Sequence, residues 1–256
     1  MPLLSIVTAH VNTPDWAELL IKSIRKFTVS EYEIIVIDNG SSDENLTWLR
    51  NEALLSKIRL YENKYNAGHG GAIDQGTRLA CGKYICHMDI DSFFQRSGWD
   101  SDIMEIYHSD PLIRLVAVRG WDKPPYSKPL GAPIFFYERQ FVLENAVIFK
   151  YLPGVLKGST DSAQAAYWKI LDLGFKVERF GPGEKIYDKE ALGDEIWIKG
   201  KPTIYHHYYG SRFSELWEPN KHQIVDGRTL EDHLKRKANI FSQPDVRRIL
   251  NEEKES

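Results

Sequence analysis

Four apolar, β-branched runs alternate with three helix-patterned stretches over the first ninety residues, and that alternation restricts the fold more than any other feature. The runs are "LLSIVTA" (Leu3–Ala9), "YEIIVID" (Tyr32–Asp38), "KIRLYEN" (Lys57–Asn63) and "KYICHMDI" (Lys83–Ile90). Between them lie "DWAELLIKSIRKF", "SSDENLTWLRNEA" and "AGHGGAIDQGTRLA". In the first of these, Trp16, Leu19, Leu20, Ser23 and Ile24 recur at helical spacing. Continuous apolar strands joined through helices by short links predict a mostly parallel sheet covered on both faces, an α/β fold.

A chain of 256 residues with 42% hydrophobic and 27% charged residues has the composition of one globular domain or two joined halves. A formal net charge of -3 gives no basis for nucleic acid as a partner. The two cysteines, Cys81 and Cys86, lack the paired spacing of a zinc site and suit reduced thiols. "MPLLSIVTAH" carries neither a basic leader nor a span-length apolar run. The expectation is a cytoplasmic protein with at most peripheral contact at the inner face of a membrane.

In open α/β sheets, ligands bind beyond the carboxyl ends of the strands. Asp38 ends the second run, and Asp89 and Asp91 end the fourth within "GKYICHMDIDSFF". The glycine-rich turn from Asn66 to Gly71 opens on the same rim. Gly68, Gly70 and Gly71 permit close backbone approach to a ligand, and a helix start favours phosphate. The bland alternatives are a polar strand end, since Asp favours turns, and a tight strand-to-helix turn. Carboxylates beside a phosphate-binding loop repel the ligand unless a cation lies between, and Mn²⁺ or Mg²⁺ suits such oxygen donors. The residues therefore predict a nucleotide-diphosphate site.

"LSIVTAHVNT", "YEIIVIDNGSSDENL", "ENKYNAGHGGAIDQG" and "CGKYICHMDIDSF" together resemble the successive blocks of glycosyltransferase family 2, of the GT-A fold. The resemblance covers about the first 95 residues, and its specificity lies in the order and spacing of the blocks. It implies a donor nucleotide site at Ala9, Asn12, Asp38, Asn66, Gly68, Gly71 and Asp89. Asp38 would contact the base, and Asp89 and Asp91 would form the DXD element with Asp91 on the metal. Only Asn12 fits the family's usual motif after the first strand, and Asp74 stands where Asn is frequent.

Further along, "GSTDSAQAAYWKILDLGFKVERF" resembles the family's acidic block, which makes Asp161 the candidate general base. Ser159, Thr160 and Asp161 also suit a helix N-cap, and the two roles can coexist. "IYHHYYGSR" offers His206 and His207 as metal ligands; adjacent strand residues point to opposite faces, so at most one reaches the ion. "WDKPPYSKPLGAP" (Trp121–Pro133) reads as a surface loop, "FFYERQFVLENAVIFKYL" as antiparallel strands, and Gly181–Pro202 as a polar insertion able to act as a lid.

The expected organisation is a single GT-A domain over 1–228, with a nucleotide half (1–95) and an acceptor half (96–228), followed by a basic helical tail (229–256). The expected activity is metal-dependent, inverting transfer of a sugar from a UDP-, GDP- or dTDP-sugar to a hydroxyl of a glycan, lipid-linked or small acceptor. A sugar nucleotidyltransferase and a non-catalytic sugar-nucleotide-binding scaffold are the rivals. The first rival needs a Gly-rich, basic triphosphate loop after strand one, which "TAHVNTPDW" does not supply.

Overall fold

A computed structural model of the chain describes residues 2–123, 126–150, 163–181, 193–207 and 230–252. Strands β1 (Leu4–His10), β2 (Tyr32–Asp38), β3 (Arg59–Glu62) and β4 (Tyr84–Met88) form the parallel part of a seven-stranded sheet, crossed by helices α1 (Pro14–Phe27), α2 (Asp43–Leu54) and α3 (His69–Leu79). The sheet continues through β6 (Ile113–Lys123), β7 (Tyr126–Glu138) and β8 (Lys176–Phe180), in the order β3-β2-β1-β4-β7-β6-β8. β7 runs antiparallel to both β4 and β6, and β8 runs parallel to β6.

A smaller antiparallel sheet holds β5 (Ser92–Phe94), β10 (Lys201–His207) and β9 (Gly193–Ile198), with β10 in the middle. The remaining described helices are α4 (Trp99–His108), α5 (Arg139–Glu144), α6 (Gln164–Asp172), α7 (Leu230–Ser242) and α8 (Pro244–Asn251).

Period-two alternation along each strand divides the core between the two faces of the large sheet. Leu4 and Ile6 of β1, Ile34 and Val36 of β2, and Tyr84, Cys86 and Met88 of β4 pack with the apolar faces of α1, α4 and α8. Val7, Ile35, Ile37 and Ile85 face the other way, onto α3 and α6. α3 lies very close to the sheet: a Cβ on Gly76 would stand 2.3 Å from a methyl of Val7. Gly70 is equally constrained. A Cβ there would lie 2.2 Å from the Phe149 carbonyl oxygen, so this glycine accommodates the chain's own backbone rather than a ligand. Asp74 completes the contact by accepting the amides of Phe149 (2.7 Å) and Lys150 (3.1 Å). Burial, opposed by those two N–H groups, leaves the Asp74 carboxyl above its ordinary pKa.

Four expectations change. Trp121–Pro133 is not a loop in its described residues, for β6 and β7 pair through Trp121 and Lys128. Proline is tolerated because β7 joins β4 only from Ile134 onward, and because Pro133 sits in a bulge where the register jumps from Ala117↔Phe135 to Val118↔Gly131. In "FFYERQFVLENAV", the strand stops at Glu138 and α5 follows, burying Phe141 and Val142 at adjacent helical positions. Within the expected insertion, Gly193–Ile198 is strand β9, whose Ile196 and Ile198 alternate into the core. The basic tail is two helices rather than one, broken before Pro244, and α8 buries Val246 and Ile249 against the α1 side of the core.

Gly70→Ala is expected to lower stability by about 1–3 kcal/mol through overpacking. That corresponds to a fall in Tm of roughly 2–10 °C for a chain of this size. Gly181→Ala, with nothing within 4 Å of the added Cβ, should leave Tm nearly unchanged. Thermal denaturation of the two variants checks this.

Candidate active site

The parallel register of β1 and β2 sets His10 beside Asp38 at the carboxyl rim. Both are about 1% exposed. Thr13 N–H donates to His10 Nε2 (3.2 Å), so the ring proton lies on Nδ1, which donates to Asp38 Oδ1 (2.9 Å). The Ser41 hydroxyl donates to the same oxygen, while the amides of Gly40 and Ser41 donate to Oδ2, each at 3.0 Å. Four donors fill the acceptor positions of the carboxylate. Burial opposes its ionisation, but the hydrogen bonds from His10 and Ser41 outweigh burial and hold the Asp38 carboxyl below the ordinary aspartate pKa.

Asn12, with φ +48°, extends this network. Its amide donates to Ser41 Oγ (2.8 Å), and its Oδ1 accepts from the Ser42 amide (2.9 Å) and Asn45 Nδ2 (3.2 Å). The expected contact of Asp38 with a base thus requires one of four existing donors to leave. What the geometry gives Asp38 and Asn12 is the ordering of two adjoining strand-end loops. Ala9, half-buried, packs on the α3 side of β1 beside them.

The entry to α3 is built locally. Asn66 Oδ1 accepts the Gly68 amide (2.8 Å), an Asx turn, and Gly68 takes φ +77° at the N-cap, a conformation suited to glycine. Asn39 Nδ2 reaches the Gly68 carbonyl at 3.4 Å, linking this turn to the end of β2. A Cβ on Gly71 would meet Ala67 Cβ at 3.3 Å.

Asp89, Ile90 and Asp91 form the turn by which the chain leaves the large sheet for the small one. The Asp89 amide donates to the Pro133 carbonyl of β7 (2.9 Å), and the His207 amide of β10 donates to the Asp91 carbonyl (2.8 Å). Pairing of His206 with Ser92 then carries the His206 ring to the two aspartates. Its Nε2 lies 3.6 Å from Asp91 Oδ1 and 3.7 Å from Asp89 Oδ2. These separations exceed hydrogen-bond length. They are close to the roughly 3–3.5 Å between neighbouring ligand atoms on a cation with bonds of about 2.1 Å. Two carboxylates and one imidazole form a donor set that fits Mn²⁺ and accepts Mg²⁺.

His207, on the opposite face of β10, is 1% exposed and stacks on Trp16 at a centroid distance of 5.0 Å. It is a packing residue and not a ligand in this arrangement. Asp161 lies outside the described residues.

His69 and His87 have no place in the sequence-based site, yet both reach Asp89. His87 occupies the α3-facing side of β4, two residues before Asp89, and is fully buried with its ring stacked on Phe135. Burial pushes its pKa down to about 4 despite the hydrogen bond to Asp89. His69, the first residue of α3, approaches Asp89 Oδ1 at 2.9 Å. Burial opposes ionisation of Asp89, but the surrounding histidines, His69 foremost, hold its carboxyl well below the usual range. The available signal was the i, i+2 spacing of His87 and Asp89, which places them on one face of a strand.

The model of the family described as "Glycosyl transferase family 2" matches residues 5–155. The chain belongs to glycosyltransferase family 2. Among its relatives, an uncharacterised glycosyltransferase of Haemophilus influenzae is 35% identical over 97 residues, 38% of this chain and 30% of that protein. The Escherichia coli UDP-Glc:alpha-D-GlcNAc-diphosphoundecaprenol beta-1,3-glucosyltransferase WfaP is 33% identical over 95 residues, 37% of each chain. The matched segment thus spans about a third of these relatives. The mannosyltransferase PcManGT of Pyrobaculum calidifontis, solved with GDP-Man and Mn²⁺, superposes with a TM-score of 0.53 at 14% identity, covering 97% of this chain and 74% of that one. The fold of this family 2 member is GT-A. Among the described residues no helix is long and apolar enough to cross a membrane.

For pH dependence, the depressed pKa of Asp38 sets the sign. Its stabilising contribution is fully present above the ordinary aspartate pKa and is lost as the pH falls below it. Asp38→Asn, which turns an amide NH₂ or a weaker acceptor toward four donors, is expected to cost about 1–3 kcal/mol at neutral pH. The gap between wild type and variant should narrow at acid pH in denaturant titrations.

Proposed function

We propose that this chain is a metal-dependent, inverting glycosyltransferase that moves a sugar from a nucleotide-diphosphate donor to an acceptor hydroxyl. The observation that carries the proposal is the convergence of Asp89, Asp91 and His206 on the carboxyl rim, at the turn joining the two sheets. Family membership and the GT-A fold support it. A UDP-, GDP- or dTDP-sugar is the donor class; WfaP, whose name carries UDP-Glc, and PcManGT, solved with GDP-Man, support that range. The diphosphoundecaprenol named for WfaP supports a lipid-linked acceptor, and a soluble glycan is the other class. A lipid-linked acceptor would bring the enzyme to a membrane surface peripherally.

Asp89, Asp91 and His206 would hold Mn²⁺ or Mg²⁺, and when bound the ion supplies Lewis-acid stabilisation of the departing diphosphate. The α3 entry, shaped by the Asn66–Gly68 turn, would present first-turn backbone N–H groups such as that of Gly71 near the same anion. The Asp38–His10–Ser41 network with Asn12 and Ala9 would shape the wall around the nucleoside. Asp161 would take the proton from the acceptor hydroxyl as its oxygen bonds to the anomeric carbon. The bond from that carbon to the diphosphate breaks on the opposite side, which inverts its configuration.

A thermal-shift panel of UDP, GDP and dTDP, each with and without Mn²⁺, tests the site. One diphosphate should raise stability only when the metal is present, by about 2.7 kcal/mol at a hundredfold excess over Kd. Asp91→Ala should abolish that shift and His206→Ala weaken it. His207→Ala should lower the starting Tm by loss of packing but retain the shift. A shift independent of metal, or intact in Asp91→Ala, removes the cation from the reading.

Asp161→Asn should reduce turnover by about 10²–10⁴-fold with donor affinity nearly unchanged. A variant with reduced stability but full activity per folded molecule makes Asp161 a helix cap, and a product of retained configuration removes inversion.

A further inference from the structure

Asp89 turns its two carboxylate oxygens to different neighbours. Oδ2 faces His206 of the proposed diphosphate-metal cluster at 3.7 Å. Oδ1 lies 2.9 Å from His69 Nε2 and 3.4 Å from His87 Nε2. The two Nε2 atoms are themselves 2.9 Å apart. Three potential ligand atoms thus form a triangle with sides of 2.9, 2.9 and 3.4 Å. A tetrahedral cation with bonds of about 2.0–2.1 Å separates its ligand atoms by about 3.3 Å, so the triangle matches one face of such a tetrahedron, slightly contracted.

Hydrogen bonding satisfies this group less completely. Protons on both facing Nε2 atoms would collide, and a single proton must be divided between two acceptors. One cation engages all three lone pairs at once.

The supports are rigid. His87 is fixed on β4 by burial and by Phe135, and His69 is fixed as the first residue of α3 by the turn at Asn66 and Gly68. The His69 side chain keeps 35% of its exposure, so the group is not sealed from solvent.

We propose that His69, His87 and Asp89 form a second metal site, distinct from the Asp89–Asp91–His206 cluster and bridged to it by Asp89. Two imidazoles and one carboxylate favour a borderline transition ion of the Zn²⁺ type, whereas two carboxylates and one imidazole favour Mn²⁺ or Mg²⁺. The two clusters therefore select different ions. An ion in the second site holds Oδ1 and leaves Oδ2 for the first, so its occupancy fixes the orientation of the shared carboxylate. The second site uses donor atoms that the proposed transferase reaction leaves unassigned, and it stands whether or not that reading holds.

The test uses chelator-treated full-length protein, with Co²⁺ as the spectroscopic probe and Zn²⁺ followed by calorimetry and elemental analysis. One Co²⁺ per chain should give the intense visible absorption of four-coordinate geometry, displaced by Zn²⁺ and not by Mg²⁺. His69→Ala, a change at a partly exposed position, and the more conservative His87→Gln should each weaken Zn²⁺ binding by at least about 10–100-fold, the loss usual even for residues that only support a ligand. Asp91→Asn should keep the Co²⁺ spectrum while losing any metal-dependent response to nucleotide diphosphate. That split distinguishes failure of this site from failure of the transferase reading. Zinc affinity unchanged in folded His69→Ala, or a spectrum abolished by Asp91→Asn and kept by the histidine variants, overturns the proposal. So does a wild-type protein that binds no Co²⁺ in four-coordinate form.

Discussion

The hydrogen bond from the His207 amide to the Asp91 carbonyl fastens the small sheet to the end of β4. Much of the site's geometry depends on that link. β5 begins at Ser92, directly after the aspartates, and its pairing with β10 makes the turn a joint between two sheets. A turn free in solvent would leave Asp89 and Asp91 mobile, and a mobile carboxylate loses entropy on binding an ion. Here the amide of Asp89 is bonded to β7 and the carbonyl of Asp91 to β10, so both ends of the turn are anchored before any ligand arrives. Preorganisation of this kind is what makes charged groups effective against developing charge.

The parallel part of the fold was legible because it depends on short-range pattern. Four apolar runs became β1 to β4, and the three stretches between them became α1 to α3. The rim position of Asp38, Asp89 and Asp91 followed from strand ends alone. The chain beyond β5 was less legible because its elements depend on distant partners. Proline argues against a strand only where both edges are paired, and nothing local says that β7 lacks β4 as a partner before Ile134. The buried alternation of Ile196 and Ile198 was concealed by the polar residues that precede it.

Two histidines illustrate a different limit. His69 and His87 are separated in the chain by the length of α3, and only the packing of α3 on β1 and β2, beside β4, brings their Nε2 atoms together. No local pattern encodes that meeting. His10 was similarly hidden: it reads as the residue after a strand, yet the register of β1 on β2 gives it a buried carboxylate partner. At Asp38 the resemblance and the geometry differ in emphasis. Family likeness assigns this residue to the base, while four internal donors make it the organiser of the loops that would surround one.

The adjacency of His206 and His207 has a consequence for how this protein tolerates insertion. One imidazole faces carboxylates and the other lies flat on an indole, and only the strand's alternation distinguishes them. A slip of one residue in β10 would exchange their environments, sending the packing ring to the aspartates and the other into the apolar layer. The accuracy of the site is therefore inherited from strand register, and the tight Lys199–Gly200 connection between β9 and β10 acts as its gauge. Length changes in that turn would be read at the aspartates, well away from where they were made.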